Sequence, residues 1–188
     1  MKPRYVGIAA LSLTAFIGAG SLLGKAAGLR LNTTDSAPHG LWLVQTTGSK
    51  VLERGELVEI CPPLSPVVRI MASRGYLPAG ECAGVSVAPL LKPLSAIAGD
   101  TIRLRQGEPV MVNGVALPNT VAMPSIPAWP DGIYKVQPGQ AWLFSSYSAG
   151  SFDSRYFGPV ELATVRGIAS AVAVDGDTAA ITTGVRHQ

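Results

Sequence analysis

Apolar and polar positions along the chain fall into two regimes. Residues 5–24, YVGIAALSLTAFIGAGSLLG, carry no charge. A run of about 20 such residues is what a helix needs to cross a bilayer. From Leu31 onward the apolar stretches are short and broken by turn residues. Leu41-Trp42-Leu43-Val44 predicts a strand that ends at Thr47-Gly48-Ser49. Glu56-Leu57-Val58-Glu59-Ile60 alternates as a half-buried strand should, and Pro62-Pro63 stops it. Residues 67–73 predict one short helix. Residues 101–105 alternate again. Residues 110–112 and 115–117 then flank Asn113-Gly114, a dipeptide suited to a tight hairpin because both residues tolerate positive φ. Residues 118–138 are rich in proline and polar turns and read as a loop excursion. Residues 141–144 predict a buried strand. The apolar, β-branched residues 160–173 predict a closing strand, and the small, polar residues 175–188 a frayed tail.

Composition narrows this picture. A chain of 188 residues holds one core-bearing domain plus a short appendage. With 21 glycines and 15 prolines, long helices are not expected past the N-terminus, so the body reads as all-β or β-rich. An apolar share of 47% fits a membrane segment or an unusually buried sheet. Lys2, Arg4 and the amino terminus precede the uncharged run, and Lys25 and Arg30 follow it. That bias places the N-terminus inside and the body outside. The run is long for the apolar core of a cleaved signal peptide, so it reads as a retained anchor. The chain thus divides into an anchor (or signal segment) at 1–30 and an exported body at 31–188. The net charge of +3 is spread over scattered basic residues, without the stripe that nucleic acid requires. Cys61 and Cys82 form an even pair that could close a disulfide outside the cytoplasm. With no Cys-x-x-Cys and only two histidines, neither a metal nor a cofactor is expected.

Three stretches carry candidate chemistry: Asn32-Thr33-Thr34-Asp35-Ser36-Ala37-Pro38-His39-Gly40-Leu41-Trp42, residues 92–100 around Lys92, and residues 151–160. Singly each has an ordinary reading as a turn, a surface lysine or an ion-paired loop. Together they resemble the signal-peptidase I superfamily, and within it the TraF-type branch of conjugative-transfer peptidases. Ser36, Pro38, Gly40 and Leu41 match that branch's Ser-x-Pro-x-Gly-Leu-Tyr, with Trp42 in place of tyrosine. Lys92 stands eight residues before Asp100 of a Gly-Asp pair, as the family's lysine does. Asn113-Gly114 matches its hairpin. Ser151, Asp153, Ser154, Arg155 and Gly158 match Ser-x-Asp-Ser-Arg-x-x-Gly. The Gly-Asp-Asn-Arg stretch of general signal peptidases is missing, and residues 145–150 (SSYSAG) stand there instead.

The resemblance implies a β-rich, signal-peptidase-like catalytic domain behind an N-terminal transmembrane helix, in the bacterial inner membrane and facing the periplasm. It implies a serine peptidase in which Ser36 is the nucleophile and Lys92 the general base. A serine hydroxyl needs a base beside it, and lysine can serve only where burial holds it uncharged. The resemblance assigns Ser151 to holding the lysine and Asp153 to a part in activity. Arg155 pairs with Asp153, Asp100 supports, and the Ser36 N–H and the Thr34 hydroxyl form the oxyanion hole. His39 and His187 have no place in it. The implied substrate is a membrane-tethered, pilin-like precursor, cleaved or cyclised within a conjugation apparatus. Two other readings stand beside it: a general leader-removing signal peptidase, and a non-catalytic scaffold of a secretion or conjugation apparatus.

Overall fold

The computed structural model describes residues 3–34 and 36–176, and the side chains of all of these except 3–10 and 17. The chain opens with helix α1 (Pro3–Ala26) and continues through strands β1 (Leu29–Asn32), β2 (Gly40–Gln45) and β3 (Leu57–Ile60). Helix α2 (Pro66–Ser73) leads to β4 (Ala79–Cys82), β5 (Leu90–Ile97) and β6 (Thr101–Leu104). The hairpin β7 (Met111–Val112) and β8 (Val115–Ala116) precedes β9 (Gly132–Lys135) and β10 (Gln140–Leu143). One turn of helix, α3 (Ser154–Phe157), then leads to β11 (Val160–Glu161) and β12 (Val165–Val174).

Two sheets carry the body. The larger has seven strands in the order β1-β2-β12-β3-β5-β10-β11, and the smaller four in the order β8-β7-β6-β9. All described pairings between strands are antiparallel. One core gathers Val58, Ile60, Val68, Met71, Leu94, Leu143 and Phe157 under α2 and α3. A second gathers Ile102, Val112, Leu117, Trp142 and Phe144 between the two sheets.

The β-rich expectation holds, and so does the hairpin at Asn113-Gly114, where φ is +50° and +85°. The single closing strand expected over 160–173 is interrupted. Leu162–Thr164 forms a 3-10 turn between β11 and β12. The excursion at 118–138 is not all loop, since it contains β9, whose residues alternate in burial against β6. Strand β5 shows no alternation because Lys92 to Ala96 are all buried. Its Pro93 cannot donate to a ladder. It stands where the ladder to β3, running from Leu90 to Pro93, gives way to the ladder to β10, running from Leu94 to Ile97; Pro93 faces Leu57 at the start of β3 and Leu94 faces Leu143 at the end of β10. Such a change of partner is where a sheet tolerates proline.

The anchor expected at 5–24 falls on α1. Among the described residues no helix is long and apolar enough to cross a membrane. The expected tail from Asp175 lies mostly outside the described residues, as does His187.

Candidate active site

The loop between β1 and β2 carries Ser36, and its shape is set locally by Asn32. The Asn32 Nδ2 donates to the carbonyls of Thr34, Ala37 and Pro38 at 3.0, 2.9 and 3.1 Å. The Trp42 indole donates to the Pro38 carbonyl at 3.1 Å. At the far end of the loop Gly40 has φ +131°, and a Cβ there would lie 2.2 Å from the Ala173 carbonyl oxygen of β12. Only glycine lets β2 start so close to its neighbour.

The last box approaches from the other end of the chain. Ser151 and Lys92 are each 1% exposed. The Lys92 Nζ donates to the Ser151 Oγ at 2.7 Å. The Ser151 Oγ in turn lies 3.5 Å from the Ser36 Oγ and donates to it. Ser151 therefore bridges the Lys92 amine and the Ser36 hydroxyl. Burial lowers the Lys92 amine from 10.5 to about 8; the neighbouring Asp153 carboxylate opposes this and the Arg155 guanidinium adds to it.

Behind this line lies a buried ion pair. The Arg155 Nε and Nη2 donate to the two Asp153 oxygens, each at 2.8 Å. Asp153 also caps α3 by accepting from the Arg155 N–H, and it accepts from the Ser145 N–H. The Asp153 carboxylate bonds Arg155 and Ser145, and it acts on Lys92 through its field. Arg155 also donates to the Ser151 carbonyl at 2.7 Å and to the carbonyls of Asn119 and Val121. The proline-rich excursion thus closes over the guanidinium.

Two cavities of about 320 and 310 Å³ flank the site. They share Thr33, Thr34, Ser36, Pro78, Leu90 and Lys92 as walls. The first is charged, with Lys25, Arg30, Glu59 and Glu81 in its lining. The second is bounded by Tyr76, Leu77 and Phe152.

Residues 4–174 match the family profile of signal peptidases, peptidase S26. The chain belongs to the peptidase S26 family. Within S26 it falls in the TraF-type branch. It is 37% identical to a probable conjugal transfer protein TraF of Sinorhizobium fredii, over 91% of this chain and 89% of that one. It is 36% identical to the conjugal transfer protein TraF of Agrobacterium fabrum, over 90% and 93%. It is 34% identical to a plasmid transfer protein TraF of Escherichia coli, over 85% and 86%.

In this S26 chain the structure gathers Ser36, Lys92 and Ser151, with Asp153 and Arg155 directly behind. Thr34 stands beside them, but its hydroxyl donates to the Asn32 Oδ1 at 2.8 Å. Asp100 is elsewhere, in the turn from β5 to β6. There its carboxylate accepts from the Ile97 N–H and the Asn113 amide and pairs with Arg54. Its role is to fix that turn. His39 is exposed. Cys61 and Cys82 are joined by a disulfide that ties the end of β3 to the end of β4. Among the described residues no cluster of metal-ligating side chains occurs. Sequence reading gave no role to Asn32 or Ser145. An asparagine ahead of a proline turn is a recognisable turn former. Ser145 carries no local signal.

Proposed function

We propose that this S26 chain is a membrane-anchored serine endopeptidase with a Ser36–Lys92 dyad, acting on a pilin-like precursor of a conjugation apparatus. The observation that carries the proposal is the buried Lys92 amine, with a pKa near 8, joined to the Ser36 hydroxyl through Ser151. At that pKa a useful fraction of the amine is uncharged near neutral pH, which is what a general base requires.

With the amine neutral both hydrogen bonds reverse, so that Ser36 donates to the Ser151 Oγ and Ser151 donates to the Lys92 Nζ; the Ser36 proton passes to Ser151 as the Ser151 proton passes to Lys92, and the Ser36 Oγ attacks the scissile carbonyl carbon. The oxyanion rests on the Ser36 N–H and on the Thr34 hydroxyl once it has left Asn32. Collapse forms the ester and expels the precursor's amine, which takes the proton back from Lys92. Water, or an amine of the precursor itself, then resolves the ester. The two products differ by one water in mass.

An extended substrate has a place to lie. Strand β1 is at the edge of its sheet, and β10 pairs with β5 only from Leu94 onward. The charged cavity lies between residues 30–36 and 88–92. A peptide entering there can add as a strand, with its side chains in the flanking cavities. The names of the relatives support a conjugation context. The uncharged run at 5–24 supports an anchor in the inner membrane, and the disulfide supports a periplasmic body.

The test is co-expression with a small pilin-like precursor. Ser36→Ala and Lys92→Ala are each expected to leave the precursor at full mass while the protein accumulates normally. Processing by either variant removes that residue from the mechanism.

A further inference from the structure

The Ser36 loop is gripped at four carbonyls, and they divide by origin. Those of Thr34, Ala37 and Pro38 are held by Asn32, a neighbour in sequence. That of Ser36 itself is held by the Ser145 Oγ at 2.7 Å, across 109 residues. Asn32 sets the internal shape of the loop. Ser145 sets where the loop stands against the rest of the site. We infer that Ser145 is a positioning residue, pinning the Ser36 backbone through its hydroxyl and linking the nucleophile to the Asp153–Arg155 pair. The inference rests on the Ser36–Lys92 reading.

The connection is continuous. The Asp153 Oδ2 accepts from the Ser145 N–H at 3.0 Å, which fixes the backbone that carries the hydroxyl. Arg155 locks Asp153 and at the same time holds the Ser151 carbonyl. One guanidinium therefore sets both the serine that touches Lys92 and the serine that grips Ser36. Every member is buried: Asp153 and Ser145 are 0% exposed, Ser151 1% and Arg155 2%. Ser36 itself is half-buried, and the Ser145 hydroxyl, which also accepts from the Tyr147 N–H, is the partner described for its carbonyl; removing the hydroxyl leaves that carbonyl to water. The Ser36 Oγ already lies at the long limit of a hydrogen bond from Ser151, at 3.5 Å. A further drift of the loop breaks the line to the amine. This gives the SSYSAG stretch at 145–150 a role that does not depend on the charged stretch it replaces. It also gives Asp153 a route to the nucleophile without touching it.

The test is steady-state cleavage, by the full chain, of a fluorogenic peptide with alanine on both sides of the scissile bond. Misplacing a reacting group by about 1 Å costs roughly 100-fold in rate, so Ser145→Ala is expected to lower kcat roughly 10- to 100-fold. KM should stay within about twofold, because neither cavity includes Ser145. The alkaline rise in kcat should keep its wild-type midpoint, because Lys92, Ser151, Asp153 and Arg155 are untouched. Wild-type kcat in Ser145→Ala, or a moved midpoint, overturns the inference. Should Ser145→Ala fail to accumulate, Ser145→Cys keeps the volume with a weak donor. It must then show the same selective loss of kcat, and wild-type kcat in that variant overturns the inference equally. Ser36→Ala is measured in parallel. If it matches wild type, the dyad reading falls and this inference with it. If it is inactive while Ser145→Ala is not impaired, only the role of Ser145 falls.

Discussion

Replacing Lys92 by methionine should make the protein more stable at neutral pH, and by an amount that depends on pH in a defined way. The amine is fully enclosed, and its pKa falls from 10.5 to about 8 on folding. At about 1.4 kcal/mol per tenfold change in proton affinity, holding it protonated in the fold costs about 3 kcal/mol. Methionine fills similar space and carries no charge, but leaves the Ser151 hydroxyl without its donor, a loss of about 1 kcal/mol. Lys92→Met is therefore expected to be about 2 kcal/mol more stable than wild type at pH 7. Between pH 8 and 10.5 the unfolded chain binds the proton that the folded chain has released, so wild-type stability rises with pH relative to the variant. Above 10.5 both states hold a neutral amine. Wild type should then lead by about 1 kcal/mol, the hydrogen bond alone. The assay is urea unfolding of both full-length proteins from pH 7 to 11 with the disulfide intact, read as the difference in unfolding free energy. Taking the difference cancels every titration the two share. A difference that stays flat over that range would show that folding does not desolvate the amine, and a general base of ordinary basicity cannot work at neutral pH.

Thr34→Ala is expected to lower kcat by about 100-fold or more while Thr34→Ser keeps most of it; kinetics of peptide cleavage check this, and an unimpaired Thr34→Ala removes Thr34 from the oxyanion hole. Asp153→Asn leaves the Arg155 guanidinium buried opposite a neutral amide, and should destabilise the fold by about 3–5 kcal/mol in urea melts. Reducing the Cys61–Cys82 bond frees a loop spanning 21 positions, which should cost about 3 kcal/mol in the same melts; the denatured, unreduced exported protein should show no thiol reactive to labelling.

Strands β2, β3, β6 and the β7–β8 hairpin come out close to where periodicity puts them. Strand β6 was legible from sequence because it buries one face, whereas β3, whose sequence alternates as a half-buried strand would, is buried at all four positions because β5 and β12 flank it and Glu59 is ion-paired. Strand β5 was opaque, being buried on both faces and interrupted by Pro93. The excursion at 118–138 hid β9 because its four residues gain their order from β6 and not from their own pattern. Within the site, Ser36, Lys92, Ser151, Asp153 and Arg155 were found through a motif resemblance. Their local chemistry alone gave only turns and surface charges. Asp100 matches the same motif, yet it fixes a turn away from the amine. Register in a motif reports shared backbone geometry as readily as shared chemistry. Ser145 was invisible because its partner is a backbone carbonyl, which no residue type at position 36 could announce.

The distance in sequence between the two halves of the site has a temporal meaning. The hydroxyl at position 36 leaves the ribosome more than a hundred residues before the serines that orient it. Until the stretch through Arg155 has been made and folded back onto β5, the serine stands on a loop that Asn32 shapes but that Ser145 and Ser151 do not yet hold against the amine. On the Ser36–Lys92 reading, a nascent or truncated copy lacks the groups that activate its serine, and cutting ability arrives only with the whole domain.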